Sequence, residues 1–552
     1  MAGVPRPGPE ATGPTYADCV VQALAEIGVA RLFGMPGGGS NADLIEAAGR
    51  SGLPFSLAQT ETGSAFMASA QAELTGRPGA CLATLGPGAA SLTNGVANAH
   101  LDRVPLLVLT DCRTDEAAAV MQHQTLAHDA IFGSLVKLSV RPRAGAVRPA
   151  LRAATDAVLG APPGPVHIDL AAELTSAEVP ADDVWLAAKG RRPAGAQPGE
   201  PGSLSRASEA LLRRARRPVM LIGLGARTPA IADAARALAA RYAIPALVTY
   251  KAKGVVPDRH PWCAGVLTNG ALERDVLERA DAFIAVGLDP VELLPRPWTS
   301  TAPMIALTPW PLHQSQLPLC DTLVGDVVTG LAAVGDQLGG PSDWDGGEVR
   351  RVAAAQRERM RPAGDSAQLL PHRVVELAAE VYGGCRITVD AGAHMFPVMS
   401  LWPAGEPGGV LISNGLATMG FALPAAIGAA LIDRARPTVA FTGDGGLLMC
   451  LAELQTAARE RVPVRVIVFD DGALSLIEAK QRQRGYAIRG VSMGETRWEH
   501  LGAGFGVPVR TACDESSLRA ALRDTVGDTG PVLIAARIAA QAYLPTMRAL
   551  RG

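Results

Sequence analysis

Along this chain an apolar run that stops at a glycine or an acid gives way, again and again, to a helix-period stretch, and few folds accommodate that alternation. LPFSLAQ, GACLATLG, VPLLVLTD and PVHIDLA form one series. RRPVMLIGLGART, IPALVTY, ADAFIAVGLDP and MIALT form a second, and RITVDAG, PTVAFTGD, VRVIVFDD and PVLIAARI a third. Each run has the length and composition of a short buried strand. Strands alternating with helices imply parallel sheets with helices on both faces. The expected class is therefore α/β, with three doubly wound parallel-sheet domains at residues 14–175, 204–338 and 366–545. Polar, Pro- and Gly-rich stretches separate them: residues 176 to 203, and a second linker opening with GGPSDWDGGEVRR at 339.

With 552 residues, the chain is too long for one ordinary core. Aromatics make up only 4%, so Ala, Val, Leu and Gly must fill the interior and let helices approach sheets closely. The net charge of -2, without a basic block, argues against a nucleic-acid partner. None of the eight cysteines forms a C-x-x-C pair, which reads as reduced thiols in a cytoplasmic protein. MAGVPRPGPEATGP has no apolar core of a signal peptide and reads as a disordered tail. Val410 to Ile432 is uncharged over a bilayer-length window, but its glycines, Asn414 and Pro424 suit a loop and a buried helix better than a membrane span.

Parallel sheets bind ligands at the carboxyl ends of their strands. Asp444 ends PTVAFTGD, and Asp470 and Asp471 end the next run, with 27 residues from Asp444 to Asp471. One βαβ unit takes about 30 residues, so both acids are expected at one edge of the sheet. Paired carboxylates there suit Mg²⁺, which completes its shell with water and phosphate oxygens. The GDGG turn offers backbone N–H groups to an anion. On spacing alone the alternative stays open that these are unrelated capping and turn residues.

TGDGG followed by a strand-end acid resembles the metal and diphosphate motif of thiamine diphosphate enzymes. SNGLATMGFALPAAIGAAL, ATLGPGAASLTNGVANAHLDRVPLLVLT and HQTLAHDAIFGSLVK resemble further segments of the acetolactate synthase-like members, in the same order. The resemblance implies pyrimidine-binding, central and diphosphate-binding domains, and a homodimer or homotetramer whose active site lies at a subunit interface. Asp444, Asp471 and the carbonyl of Ala473 would ligate Mg²⁺. Gly443, Gly445 and Gly446 would meet the diphosphate, and Ala391, Gly392, Ala393 and His394 would approach the same group. Met419 would be an apolar wedge that bends the cofactor, and the carbonyl of Ala417 would accept from its 4′-amino group. Plain core packing is the competing reading of Met419.

By the same resemblance, Glu61 would hydrogen-bond the pyrimidine ring and start a proton relay through the cofactor. Read locally, Glu61 merely complements a helix N-terminus capped by Thr60. Gln124 matches a glutamine beside the reacting carbon of acetolactate synthases. His123 precedes it where many decarboxylases carry two adjacent histidines, and His128 reads as a surface histidine. The chain departs from the family at Asp471, usually asparagine, and at Lys480, where biosynthetic members carry tryptophan. Lys480, with Leu476 one turn earlier, points to a different, anionic acceptor or to a helix shifted away from the site. GLGART alone is weak evidence for a nucleotide, and VGLDPVEL resembles the flavin-free members, so FAD is not expected.

The expected activity is decarboxylation of a 2-oxo acid and ligation of the remainder to a carbonyl acceptor. The alternatives are a decarboxylase releasing an aldehyde and a non-catalytic relative that binds thiamine diphosphate. A dinucleotide-dependent dehydrogenase is disfavoured, since no turn carries a full G-x-G-x-x-G with its acidic follower.

Overall fold

A computed structural model describes residues 13–185, 202–312, 316–362 and 368–551. The expected N-terminal tail, most of the first linker and the opening of the third domain at 366 lie outside the described residues. The chain forms two compact units, residues 1–195 and 196–552.

The first unit holds a six-stranded parallel sheet: β1 (Leu32–Met35), β2 (Phe55–Leu57), β3 (Gly79–Ala83), β4 (Leu106–Cys112), β5 (Ser139–Val140) and β6 (Val166–Ala171). Their order is β2-β1-β3-β4-β6-β5. The second unit contains two such sheets. The central one comprises β7 (Pro218–Ile222), β8 (Ala246–Val248), β9 (Cys263–Val266), β10 (Ala282–Val286), β11 (Met304–Thr308) and β12 (Leu319–Val324), in the order β12-β11-β10-β7-β8-β9. The last comprises β13 (Arg386–Val389), β14 (Val410–Ile412), β15 (Thr438–Gly443), β16 (Val464–Asp470), β17 (Val509–Ala512) and β18 (Val532–Arg537), in the order β14-β13-β15-β16-β18-β17. All strand pairings are parallel, so the doubly wound α/β expectation holds in each sheet.

Each sheet is apolar on both faces because helices cover both. In the third, Ile387, Val389, Phe441, Ile467 and Ile534 are fully buried in one cluster with helix residues such as Val374 and Leu377. The uncharged stretch from Val410 supplies the short strand β14, a loop, and the buried helix Ala422–Ala430. Among the described residues no helix is long and apolar enough to cross a membrane. All eight cysteines are free, although Cys320 and Cys513 are exposed rather than set in apolar interiors.

Both expected linkers are partly structured. Trp185 is buried against the first unit, donating from Nε1 to Glu26 at 2.9 Å, with Arg152 stacked 4.4 Å above its ring. Asp183 accepts from the amides of Val147 and Arg148 and so caps the helix Val147–Leu159. In the second linker Trp344 is buried in the central core, and Asp345 caps the helix Gly346–Glu358. One buried indole in each polar stretch outweighed the Pro, Gly and charge around it, because burying an aromatic ring stabilises by a few kcal/mol.

The central and last domains meet through buried polar contacts. Lys251 Nζ donates to the Ile412 carbonyl at 3.1 Å, and Asp258 accepts from the Ala404 amide at 2.7 Å. Gly254, at φ +89°, is packed so closely that a Cβ there would lie 2.0 Å from the Glu406 carbonyl oxygen.

Candidate active site

β15 and β16 run side by side with Gly443 opposite Phe469, so the residues that follow them emerge together at the carboxyl edge. Asp444 begins the short helix Asp444–Met449 and is only 4% exposed. Its Oδ1 accepts from the Gly445 amide at 2.7 Å, and its Oδ2 from the amides of Gly472 at 2.7 Å and Asp471 at 3.3 Å. Asp471 is held in turn by the Ala473 amide at 3.1 Å and the Ser475 hydroxyl at 2.7 Å. Burial raises the pKa of both, and Asp471, pushed up to about 7, also faces the negative charges of Asp444 and Asp470. Amide donors alone leave this pair short of positive charge, which a hard divalent cation would supply. Asp470 is set apart: it lies 3.9 Å from Arg537 on β18.

His394 adds a neutral group. It precedes the helix Met395–Leu401, and its ring stacks on Phe469 with centroids 5.2 Å apart. Burial drives its pKa down to about 3, so the imidazole is uncharged at neutral pH. Its Nε2 is buried and has no hydrogen-bond partner, an unusual state for a buried polar atom.

The loop between β14 and the next helix completes this edge. The Ser413 hydroxyl accepts from the Thr418 amide at 3.1 Å, and Ala417 sits at φ +54°, a left-handed conformation that alanine adopts at a cost of about 1 kcal/mol. Met419 projects toward Gly445, where a Cβ would come within 3.3 Å of its Cε. Asp390, fully buried, fixes this loop. Its Oδ1 accepts from the amides of Phe421 and Ala422, both at 2.7 Å, and its Oδ2 from Gly420 at 3.2 Å and the Thr442 hydroxyl at 2.6 Å.

These elements line an open-sided cleft of about 200 Å³. Ala391, Gly392, Ala393 and His394 line one wall, and Ala417 and Met419 another. Gly443, Asp444, Gly445, Gly446, Asp471, Ala473 and Leu476 also line it. Lys480 does not: it is half-buried one helical turn beyond Leu476 on the helix Ser475–Gln483. The reading of the sequence missed Tyr543, at the start of the C-terminal helix, which is buried in the lining with its pKa raised by burial and the charges of Asp471 and Asp444. No motif marks Tyr543. Asp390, by contrast, carried a legible signal as a strand-end acid directly before the AGAH loop.

Glu61 and Gln124 belong to the first unit. Glu61 opens the helix Glu61–Thr75, whose cap is Thr60, accepting from the Gly63 amide at 3.0 Å. A Cβ on Gly88 would lie 3.4 Å from Glu61 Oε1, so the carboxyl group rests against the first turn of the helix Pro87–Leu101. Gln124, at φ +60°, and His123 are exposed, and the carbonyl of Gln124 packs against Gly86. His128 is a correction: it is buried, not on the surface. Its Nε2 accepts from the Gly86 amide at 3.2 Å, and its Nδ1 lies 3.0 Å from Asp169. His167, pressed to about 4 by burial, bonds Thr110 and Ser139. His128, His167 and Asp169 have metal-like spacing, but every ring nitrogen already has a partner inside the protein. They form a polar network beneath the Gly86 turn.

In the central sheet, the glycine turn after β7 is met by a carboxylate of the protein's own. Glu292 Oε2 accepts from the Leu224 amide at 2.8 Å, and Oε1 from the Thr249 hydroxyl at 2.5 Å. A Cβ on Gly223 would lie 2.6 Å from the same Oε2.

Comparison with known proteins agrees with this geometry. Residues 14–131 match the thiamine pyrophosphate enzyme N-terminal TPP binding domain, residues 206–326 the central domain and residues 390–536 the C-terminal TPP binding domain. The chain is 29% identical over 547 residues to the acetolactate synthase isozyme 1 large subunit of Escherichia coli (strain K12), covering 96% of this chain and 94% of that one. It is 28% identical to the acetolactate synthase of Bacillus subtilis (strain 168), covering 94% and 92%. It is also 29% identical to the probable 2-ketoarginine decarboxylase AruI of Pseudomonas aeruginosa, covering 95% and 94%.

Proposed function

Since the chain belongs to the thiamine pyrophosphate enzymes, as an acetolactate synthase-like member, we propose that it is a thiamine diphosphate- and Mg²⁺-dependent carboligase. It decarboxylates a 2-oxo acid and joins the remainder to a second carbonyl compound. The observation that carries this reading is the convergence of Asp444, Asp471 and the unpartnered His394 Nε2 in one cleft.

The residues fit the cofactor. Asp444 and Asp471, with the Ala473 carbonyl, would hold Mg²⁺ against the diphosphate. His394, kept neutral by burial, can donate to a phosphate oxygen, and Gly445 leaves open a space that a Cβ would enter. Thiamine diphosphate, when bound, supplies the carbon nucleophile that adds to the oxo carbon and retains the electron pair released with CO₂. Around it Met419, Leu474 and Leu476 present an apolar wall that excludes water, and exclusion of water favours capture by a carbonyl acceptor over protonation. Glu61 is the group assigned to hold and move the proton on the pyrimidine ring, and Gln124 to orient the acceptor, with His123 beside it.

A homodimer or homotetramer would complete the site. Exposed apolar side chains support this: Val120, Met121 and Leu126 flank Gln124, and Met449 and Ile477 stand beside the cleft. The central domain is assigned no FAD, because Glu292 already places a carboxyl group on the turn amide that a nucleotide phosphate would need.

The test is pyruvate consumption by protein loaded with thiamine diphosphate and Mg²⁺, with products identified by mass spectrometry beside Glu61→Gln. Acetolactate from the wild type and none from the variant is the expected result. Similarity to a probable decarboxylase supports a second reading, in which a free aldehyde accumulates instead. Failure to bind thiamine diphosphate would refute both.

A further inference from the structure

A second recess, of about 630 Å³, lies where the central domain meets the last one. Its walls come from the segment Asp258–Cys263 leading into β9, the helix Gly346–Glu358, and the end of the helix Met395–Leu401. Arg350 and Arg357 are two turns apart on one face of their helix, with Ala353 and Ala354 between them leaving room, and Arg259 stands opposite.

The charge in this recess is unbalanced. Its one acid, Asp258, is occupied by buried Lys253 at 3.0 Å and by the Ala404 amide. Nearby carboxylates are committed elsewhere: Glu348 to Arg217 and Arg279, Glu358 to Arg361, and Glu406 to Arg436. Among the described residues, Arg259, Arg350 and Arg357 form no ion pair. Ser400, also in the lining, is 8% exposed, and its buried hydroxyl has no partner.

We propose that this recess is an anion site that takes a small molecule carrying two phosphate groups. Guanidinium forks match phosphate oxygens in pairs, and three of them around a volume much larger than one phosphate suit two such groups better than one. The site also bears on the catalytic cleft. The helix Met395–Leu401 starts directly after His394 in the cleft and ends in this recess. Its seven residues span about 10 Å. A ligand that fixes the Ser400 end therefore restrains His394, which makes the site an effector site. Binding itself does not depend on what the cleft catalyses.

The experiment is calorimetry on holoenzyme saturated with thiamine diphosphate and Mg²⁺, so that the cofactor site is filled, using fructose 1,6-bisphosphate as probe and citrate beside it. Expected are saturable binding of the bisphosphate and at least about tenfold weaker binding in Arg350→Ser and in Arg357→Ser, since each removes charge-assisted bonds. Thiamine diphosphate affinity should not change in either variant. Bound probe should also slow amide exchange in residues 395–401. Citrate binding equally well through the same arginines would overturn the phosphate assignment. Absence of saturable binding, or a change of oligomeric state in the arginine variants, would overturn the site, the latter by showing the recess to be a subunit contact.

Discussion

Asp390→Asn tests whether one buried carboxylate anchors the loop that carries Ala417 and Met419. The carboxamide oxygen can keep the amides of Phe421 and Ala422, now as neutral rather than charge-assisted bonds, a loss of about 1 kcal/mol each. The new NH₂ faces the Gly420 amide and the Thr442 hydroxyl. Thr442 can turn its proton to the Gly443 carbonyl, 3.0 Å away, and accept instead. The Gly420 N–H has no such freedom and is left buried without an acceptor, which costs about 1–3 kcal/mol. Relief of the burial that raises the Asp390 pKa offsets part of this. The net local loss is about 2–3 kcal/mol, or roughly a 30- to 140-fold fall in hydrogen-exchange protection at about 1.4 kcal/mol per tenfold. The assay is exchange at Gly420, Phe421 and Ala422 in cofactor-free protein, with the β15 amides as internal reference, alongside thiamine diphosphate affinity, which should weaken at least tenfold. Unchanged protection at those amides would refute the anchor. Equal loss throughout the third sheet would refute it too, by showing a global rather than a local role.

The two glycines after Asp444 should behave differently. Gly445→Ala places a Cβ 3.0 Å from Leu474 and 3.3 Å from Met419 and Met493, all flexible side-chain ends, so the fold should survive while titration shows weakened cofactor binding. Gly446→Ala places it 2.4 Å from Oδ2 of Asp390, a carboxylate that four donors hold still, two on each oxygen, and its thermal midpoint should drop by several degrees. A raised Asp471 pKa, about 7, means that the folded apoprotein holds this proton more tightly than the unfolded chain does. Apoprotein stability should therefore fall as pH rises from the ordinary carboxylate range through about 7, and Mg²⁺ with thiamine diphosphate should stabilise more above that range than below it in thermal shift. Asp471→Asn should flatten the apoprotein profile. His128→Ala should speed exchange at the Gly86 amide by about tenfold or more, whereas His128→Gln, which keeps an acceptor near the Nε2 position, should largely restore it.

Which strands could be read from the sequence follows from where they lie. β9, β12, β14 and β17 are the outer strands of the second and third sheets; β9, β12 and β17 do not stand out as apolar runs, and β14 is hidden at the start of the longer uncharged stretch from Val410. β12, LCDTLV, alternates because only one of its faces is covered, and β17, VRTA, is half exposed. The inner strands are buried on both faces and so read as continuous Val, Ile and Leu. β1 is the informative exception, an inner strand that went unseen. It carries Gly34, where a Cβ would lie 2.5 Å from the Leu82 side chain and from the Leu82 carbonyl oxygen. Close approach there removes the side chain that would have announced the strand.

Proximity within the candidate site was legible for the same topological reason. Adjacent parallel strands joined by a short helical crossover bring Asp444 and Asp471 to one edge, so spacing was enough to expect their proximity, though not their shared role. His128 had no such guide. Its burial depends on Asp169 within β6, 41 residues away, and on an amide of the Gly86 turn, 42 residues in the other direction. A histidine in a polar segment reads as solvent-facing until the partners that satisfy both ring nitrogens are in place. Tyr543 is the extreme case, brought to the cleft from the end of the chain by a helix whose sequence carries no sign of it. A residue set by neighbouring strands can be inferred from spacing, whereas one set by distant polar partners needs the assembled fold. The Gly86 turn held by His128 belongs to the second class, which makes the His128 variants the sharper test of the first unit.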